Sequence, residues 1–137
     1  MDQIELAPYI FFQGKCREAM EFYKNIFGGE LSLNEYDDMP DDMPNKEEMK
    51  GMLMNASLTG GDVVIRGSDI KSASPVTKKV ELCVTGGNEI KLRKIFGGLS
   101  NGGKVKYPLK KEFWGDTFGT LTDRFGVDWM IDITEPK

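Results

Sequence analysis

Apolar residues recur at two different spacings along this chain, and the switches between them mark out its elements. Leu6 to Phe12 is a short aromatic-rich run with Pro8 near its start and Gly14 after it, and it predicts a strand. From Lys15 to Phe27 the apolar positions Ala19, Phe22, Tyr23, Ile26 and Phe27 fall at three- and four-residue steps, the period of an amphipathic helix. Leu31 to Tyr36 alternates apolar and polar, which predicts a second strand. Met52 to Thr59 and Asp62 to Arg66 lie on either side of Gly60-Gly61 and read as a hairpin. The same order then returns. Val80 to Val84 is a strand, Asn88 to Phe96 a helix and Val105 to Leu109 a strand. Phe118 to Thr122 and Val127 to Ile133 close a second hairpin over Asp123-Arg124-Phe125-Gly126. Each half reads β-α-β-β-β.

The duplication is also visible letter by letter. Ile26-Phe27-Gly28-Gly29 recurs as Ile95-Phe96-Gly97-Gly98, and in both copies the helical spacing stops at the glycine pair. A glycine there predicts a left-handed C-cap and an exit from the helix. Gly29-Glu30-Leu31-Ser32-Leu33 and Gly103-Lys104-Val105-Lys106-Tyr107 each lead into a strand. A repeat of this length implies two similar units, placed at residues 1–70 and 78–137 and joined by a Ser/Pro-containing linker at 67–77, within one domain of 137 residues. Asp37 to Lys50, with two prolines and many acids, is an excursion loop, either solvated or folded as a flap over a pocket.

Composition narrows the function classes. Hydrophobic residues make up 39% and charged residues 29%, enough to bury a core. The net charge is −4 with acids and bases interspersed, so no basic stripe exists for a nucleic-acid backbone. No apolar run approaches bilayer length, and Met1-Asp2-Gln3-Ile4-Glu5 has neither a basic nor an apolar leader region; a cytoplasmic protein without a membrane partner is expected. Cys16 and Cys83 are too few for a disulfide framework and are expected as thiols. The chain has no histidine, which excludes the usual hydrolytic triad and removes the commonest transition-metal ligand.

Strand periodicity separates two faces. In 79–85, Val80, Leu82 and Val84 form an apolar face and Lys79, Glu81 and Cys83 the other. In the last strand Val127, Trp129, Ile131 and Ile133 leave Asp128, Met130 and Asp132 opposite. Met52, Met54, Ala56 and Leu58 leave Leu53, Asn55 and Ser57; Val63 and Ile65 leave Asp62, Val64 and Arg66. One face is markedly polar, fit either for solvent or for a ligand cavity. Cys16, between Lys15 and Arg17 at a helix start, sits where a thiolate is favoured, or is an ordinary first-turn cysteine. Phe113-Trp114-Gly115-Asp116 puts two aromatics, a permissive glycine and an acceptor on one loop, as core cover or as a pocket wall.

Several segments carry a family resemblance: Pro8-Tyr9-Ile10-Phe11-Phe12, Ala19-Met20-Glu21-Phe22-Tyr23, Ile26-Phe27-Gly28-Gly29, Phe113-Trp114-Gly115-Asp116 and Thr122-Asp123-Arg124-Phe125-Gly126-Val127-Asp128-Trp129-Met130-Ile131. Over nearly the whole chain these resemble the PhnB-like branch of the vicinal-oxygen-chelate (glyoxalase/bleomycin-resistance) superfamily, some of whose members are labelled 3-demethylubiquinone-9 3-methyltransferase. The resemblance implies an α+β fold in which two βαβββ units form a curved, mainly antiparallel eight-stranded half-barrel sheet with helices outside. It also implies a small-molecule pocket within the concave faces, and a homodimer. Met39, Met43, Met49, Met52 and Phe113 would supply apolar material for the dimer seam.

Metal-dependent relatives hold a divalent ion with His, Glu or Gln from four equivalent strands. Those positions fall near Pro8, Arg66, Lys79 and Met130, none of which is such a ligand. The expectation is therefore a metal-independent small-molecule-binding protein with no cofactor and no assigned catalytic residue. Asn55, Arg66, Lys79, Glu81 and Asp128 would supply polar contacts, Asp116 an acceptor, and Trp114 with Met130 an apolar wall. The alternatives are a metal-dependent lyase, isomerase or dioxygenase that uses carboxylates such as Glu81 and Asp128, and a purely structural or interaction role. Methyl transfer lacks a donor-binding fingerprint, because the paired glycines all read as turns or caps.

Overall fold

The computed structural model describes residues 5–38, 47–71 and 80–135. The chain divides into two compact units, Met1–Val76 and Thr77–Lys137. Each contains one helix and one four-stranded mixed sheet, so the class is α+β with the predicted eight strands and two helices.

The first unit runs β1 (Tyr9–Phe12), α1 (Cys16–Phe27), β2 (Glu30–Glu35), β3 (Leu53–Thr59) and β4 (Ile65–Asp69), with a single 3-10 turn at Tyr36–Asp38. The sheet order is β1-β4-β3-β2; β1 lies parallel to β4 and the other pairs are antiparallel. Cys16, Ala19, Met20, Tyr23 and Phe27 form the buried stripe of α1, at the three- and four-residue steps that the sequence shows. They pack with Leu53, Ala56, Leu58 and Ile65, and each large side chain removed from water this way contributes about 2 kcal/mol. The helix ends as expected, with Gly28 at φ 75° and Gly29 at φ 102°. A side chain on Gly29 would strike the Thr59 carbonyl, and one on Gly61 would come within 2.6 Å of the Gly28 backbone. The two glycine pairs thus let a helix end and a hairpin touch backbone to backbone.

Two expectations for this unit need correction. Leu53, placed by alternation with Asn55 and Ser57, is fully buried. Pairing slips between Asn34↔Asn55 and Glu35↔Leu53, leaving Met54 as an extra residue and reversing the alternation. The fourth strand is Ile65–Asp69 rather than Asp62 to Arg66. Gly67, expected in the linker, faces Ile10 across the parallel pair, where a Cβ would lie 2.9 Å from the Ile10 carbonyl oxygen. A composition that suggests a linker is here what lets β1 approach. Residues 72–77 of that linker lie outside the described residues, as do Met39 and Met43 of the long loop.

The second unit repeats the plan with β5 (Leu82–Gly86), α2 (Glu89–Ser100), β6 (Lys104–Lys111), β7 (Thr117–Thr122) and β8 (Asp128–Ile133), ordered β5-β8-β7-β6. Again the first and last strands pair in parallel. Leu92, Ile95, Phe96 and Leu99 of α2 are buried together with Leu121, Trp129, Ile131 and Ile133. The Asn88 side chain caps the helix, accepting from the Lys91 amide at 3.1 Å. Here Gly97-Gly98 does not stop the helix, which continues to Ser100. Leu99 extends the buried spacing by one more turn, and its burial outweighs the glycine cost of about 1 kcal/mol per residue. The close backbone approach is made instead by Gly103, whose Cβ would strike the Thr122 carbonyl. Gly103 is therefore the counterpart of Gly29. Among the described residues no helix is long and apolar enough to cross a membrane.

Candidate functional site

In the second unit Leu121, Trp129, Ile131 and Ile133 are buried, Gly119 lies against Phe96 of α2, and the alternate residues of the same strands form the opposite face of the sheet. Its rows follow from the register. Cys83 pairs with Met130, Met130 with Thr120, and Thr120 with Tyr107; Thr85, Asp132, Phe118 and Lys110 form a second row. Thr122 stands opposite Asp128 in a third. Lys106 shares this face with Lys104, and an interruption in the β6 pairing brings Tyr107 opposite Thr120 as well.

Lys106 organises the polar end. Its Nζ donates to Glu81 Oε1 at 3.0 Å and to Asp128 Oδ1 at 3.3 Å, while the Thr122 hydroxyl donates to Asp128 Oδ1 at 2.6 Å. Asp128 is 7% exposed. The Glu81 hydrogen bond and, after the opposing effect of partial burial, the Asp128 bond raise the Lys106 pKa above its ordinary value, so this ammonium stays charged. The sequence picked out Glu81 and Asp128 as partners for a cation, and the cation beside them is a side chain of this protein.

The other end is aromatic. Phe113 is 96% and Trp114 51% exposed, with their rings edge to face at 5.0 Å. Trp114 also meets Phe118 at 6.3 Å, and Phe118 meets Tyr107 at the same separation. The Tyr107 hydroxyl donates to Glu112 Oε1 at 2.6 Å, a bond that raises the phenol's pKa. Gly115, at φ 103°, lies against the Glu135 carboxylate, so the close approach expected of that glycine is real and is made by the chain itself. Asp116 accepts the Glu135 amide on Oδ1 at 3.0 Å. Met130 is half-buried in the middle of the face.

In the first unit the corresponding face carries Arg66 and Asn55. Arg66 donates to the Ser57 hydroxyl at 2.9 Å and forms an ion pair with Glu5 at 2.6 Å. Asn55 accepts from the Asn34 amide at 2.7 Å. Tyr9 and Phe11, 5.2 Å apart, add exposed aromatic surface on β1. Of the predicted site residues, the second unit brings together Glu81, Asp128, Met130, Trp114 and Asp116 on one sheet face and its adjoining turn. Arg66 and Asn55 share the face of the first unit, and Lys79 lies outside the described residues.

Sequence reasoning missed Lys106, Tyr107, Glu112, Phe118 and Thr122. Thr122 and Phe118 were legible from the period of two in their strand. Lys106 was legible too, two residues from Lys104, which pairs with Thr122; Tyr107 was not, because the β6 irregularities break that period there.

Cys16 is not a reactive thiol. It is fully buried, its pKa pushed up to about 12 by burial and then by the Asp69 carboxylate, against a smaller opposing effect of Arg17. Its amide donates to Asp69 Oδ1 at 3.0 Å. Cys83 is exposed, and burial of its thiol together with Asp132 raises its pKa as well.

The donor set does not fit a divalent ion. Arg66 brings a cation, Met130 a soft thioether, and Lys106 already sits between Glu81 and Asp128. Among the described residues no three His, Cys, Asp or Glu side chains come together in a metal-holding group.

A model of the family described as 3-demethylubiquinone-9 3-methyltransferase matches residues 4–132. The chain is 30% identical to protein YjdN of Escherichia coli over 96% of its own length and 97% of that protein. Among solved structures, protein PA1353 from Pseudomonas aeruginosa is 30% identical with a TM-score of 0.83, covering 98% of this chain and all of that one. The PhnB protein from Bacillus cereus is 24% identical with a TM-score of 0.76, covering 96% of this chain and all of that one.

Proposed function

Because the chain belongs to the 3-demethylubiquinone-9 3-methyltransferase family, the PhnB-like branch of the glyoxalase/bleomycin-resistance superfamily, we propose that it is a small-molecule-binding protein that works without a bound metal. The observation that carries this reading is Lys106 between Glu81 and Asp128. The carboxylates that would otherwise attract a divalent ion are satisfied by an internal ammonium and a hydroxyl, and what remains is a face of hydrogen-bonding groups bordered by aromatics. In the second unit Glu81 and Asp128, held by Lys106, supply the polar contacts. Trp114 and Met130 supply apolar wall, and Asp116 an acceptor. In the first unit Arg66 and Asn55 play the polar part; Lys79, which falls in the second unit, is proposed with Glu81 from the period of two in residues 79–85. Methyl transfer is not part of this reading: the β1–α1 connection is Gln13-Gly14-Lys15 and the β5–α2 connection Gly87-Asn88, too short and too poor in glycine for a donor-binding loop.

The test is a preparation made without chelator, analysed for metal and then screened by thermal shift against small metabolites and aromatic cations. The expected outcome is no stoichiometric metal, with one chemical class raising the melting temperature in the wild type and not in Trp114→Ala. Stoichiometric divalent metal would overturn the reading in favour of a metal-dependent lyase, isomerase or dioxygenase. Silence across the library would favour a structural or interaction role.

A homodimer in the cytoplasm completes the proposal. Met49 is buried and Met52 half-buried in the first unit, so neither offers the exposed seam expected of it; Phe113 does. Light scattering should give twice the 15.4 kDa chain mass, and a Phe113→Ser variant should shift the mass towards the monomer.

A further inference from the structure

The sheet face of the first unit carries one row of side chains that crosses all four strands. Tyr9 stands opposite Arg66, Arg66 opposite Ser57, and Ser57 opposite Ser32. Ile65 and Gly67, on either side of Arg66, point towards α1, so the guanidinium stands on the other face. It is fixed there from both ends. The Arg66 amide donates to the Pro8 carbonyl at 3.0 Å, and Nη1 donates to the Ser57 hydroxyl at 2.9 Å. The other terminal nitrogen, Nη2, donates to Glu5 Oε1 at 2.6 Å. A carboxylate of this chain therefore already occupies the cation of the face.

Glu5 is a loose partner for so fixed a cation. It precedes β1, its side chain is half-exposed, and Leu6 next to it is 99% exposed, so burial of its neighbour does not press it onto the sheet. An ion pair this exposed adds little to stability, and its carboxylate gives way readily to another. Apolar surface lies beside it. Tyr9 and Phe11 share the face of Arg66 on β1, half-exposed, with ring centroids 5.2 Å apart. A positioned guanidinium offers N–H donors in a fork that matches a carboxylate, and the rings offer flat area to the rest of a molecule. The Ser57 hydroxyl, accepting from Arg66, keeps a proton of its own to donate. We propose that this face binds a small aromatic carboxylate, its acid group on Arg66 and its ring on Tyr9 and Phe11, and that Glu5 is the built-in competitor the ligand displaces. The proposal rests on the small-molecule reading above and gives the first unit's face a ligand class.

Benzoate is the probe, followed by NMR titration of the full chain through the backbone amides of Tyr9, Phe11, Ser57 and Arg66. A competitor makes an unusual demand: removing an acid far from any new contact must improve binding. Glu5→Gln should bind benzoate about threefold more tightly than wild type, the worth of one exposed ion pair. Benzamide, the same shape without the charge, should bind either protein about tenfold more weakly. Arg66→Lys, which keeps the charge and loses the fork, should cost about tenfold in benzoate affinity. Arg66→Gln should abolish binding; if it fails to fold, Arg66→Lys and Glu5→Gln carry the test. Phe11→Ala should weaken benzoate about fivefold. Equal affinities with and without Glu5, no benzoate shifts in Glu5→Gln, binding that survives Arg66→Gln, or an unchanged affinity in Phe11→Ala would each overturn the proposal. A Trp114-dependent hit from the metabolite screen with benzoate silent would sink this inference and leave the small-molecule reading standing. Stoichiometric metal in the same preparation would instead bring down that reading.

Discussion

Asp69 in the first unit and Asp123 in the second are both buried with each carboxylate oxygen engaged, and the two are used in opposite ways. Asp69 binds regions far apart in the chain: Oδ1 accepts the Cys16 amide at the start of α1 and Oδ2 the Leu53 amide at the start of β3, at 3.0 and 2.9 Å. Asp123 binds its own hairpin: Oδ1 accepts the Phe125 and Val127 amides and Oδ2 the Trp129 indole N–H. The same carboxylate chemistry thus serves as a tertiary clamp in one unit and as a turn-builder in the other. The units share topology, yet their polar interiors were solved separately.

That contrast can be broken at either end. Asp69→Ala leaves two amides without their acceptor, one of them at a buried helix start, and should cost about 3 to 5 kcal/mol of unfolding free energy in denaturant titration. Asp123→Ala should cost less, about 2 to 3 kcal/mol, since loop amides can turn to water and only the indole N–H is left stranded. Its signature should be a red shift in Trp129 emission, which Asp69→Ala would lack below its unfolding transition. The glycines sharpen the same comparison. Gly29→Ala, at φ 102° and against the Thr59 carbonyl, should destabilise by about 2 kcal/mol. Gly97→Ala, with nothing within 4 Å of the new methyl, should stabilise by about 0.5 to 1 kcal/mol. Equal effects from the two substitutions, read by thermal melts, would mean that the first glycine pair and the second do equivalent work after all.

They do not, and this marks where the sequence could and could not be read. The repeat, the eight strands, the two helices and the polar faces all follow from apolar spacing, because burial acts on that spacing directly. Ends are harder. Gly97-Gly98 spells a helix stop, but Leu99 has a hydrophobic site to fill one turn later. Gly67-Ser68-Asp69 spells a linker, but small residues are what a tightly packed parallel strand needs. The candidate site was legible at Asp128 and Met130, which keep strict alternation, and at Trp114 and Asp116, whose loop composition is unusual. Tyr107 was hidden because pairing irregularities in β6 bring it opposite Thr120, out of the alternation that Lys104 and Lys106 keep. Strand-by-strand alignment chose Lys79, which lies outside the described residues.

The parallel pairings carry a consequence for the order of events during folding. Tyr9 meets Arg66 across 66 − 9 = 57 residues, and Leu82 meets Trp129 across 129 − 82 = 47. The β7–β8 hairpin, by contrast, closes over the short Asp123 loop. Chain-closure entropy makes the short loop form first and delays β1 and β5, which have no partner until β4 and β8 exist. Substitutions in the Asp123 hairpin should therefore slow refolding, while those on β1 or β5 should leave the refolding rate nearly unchanged and speed unfolding.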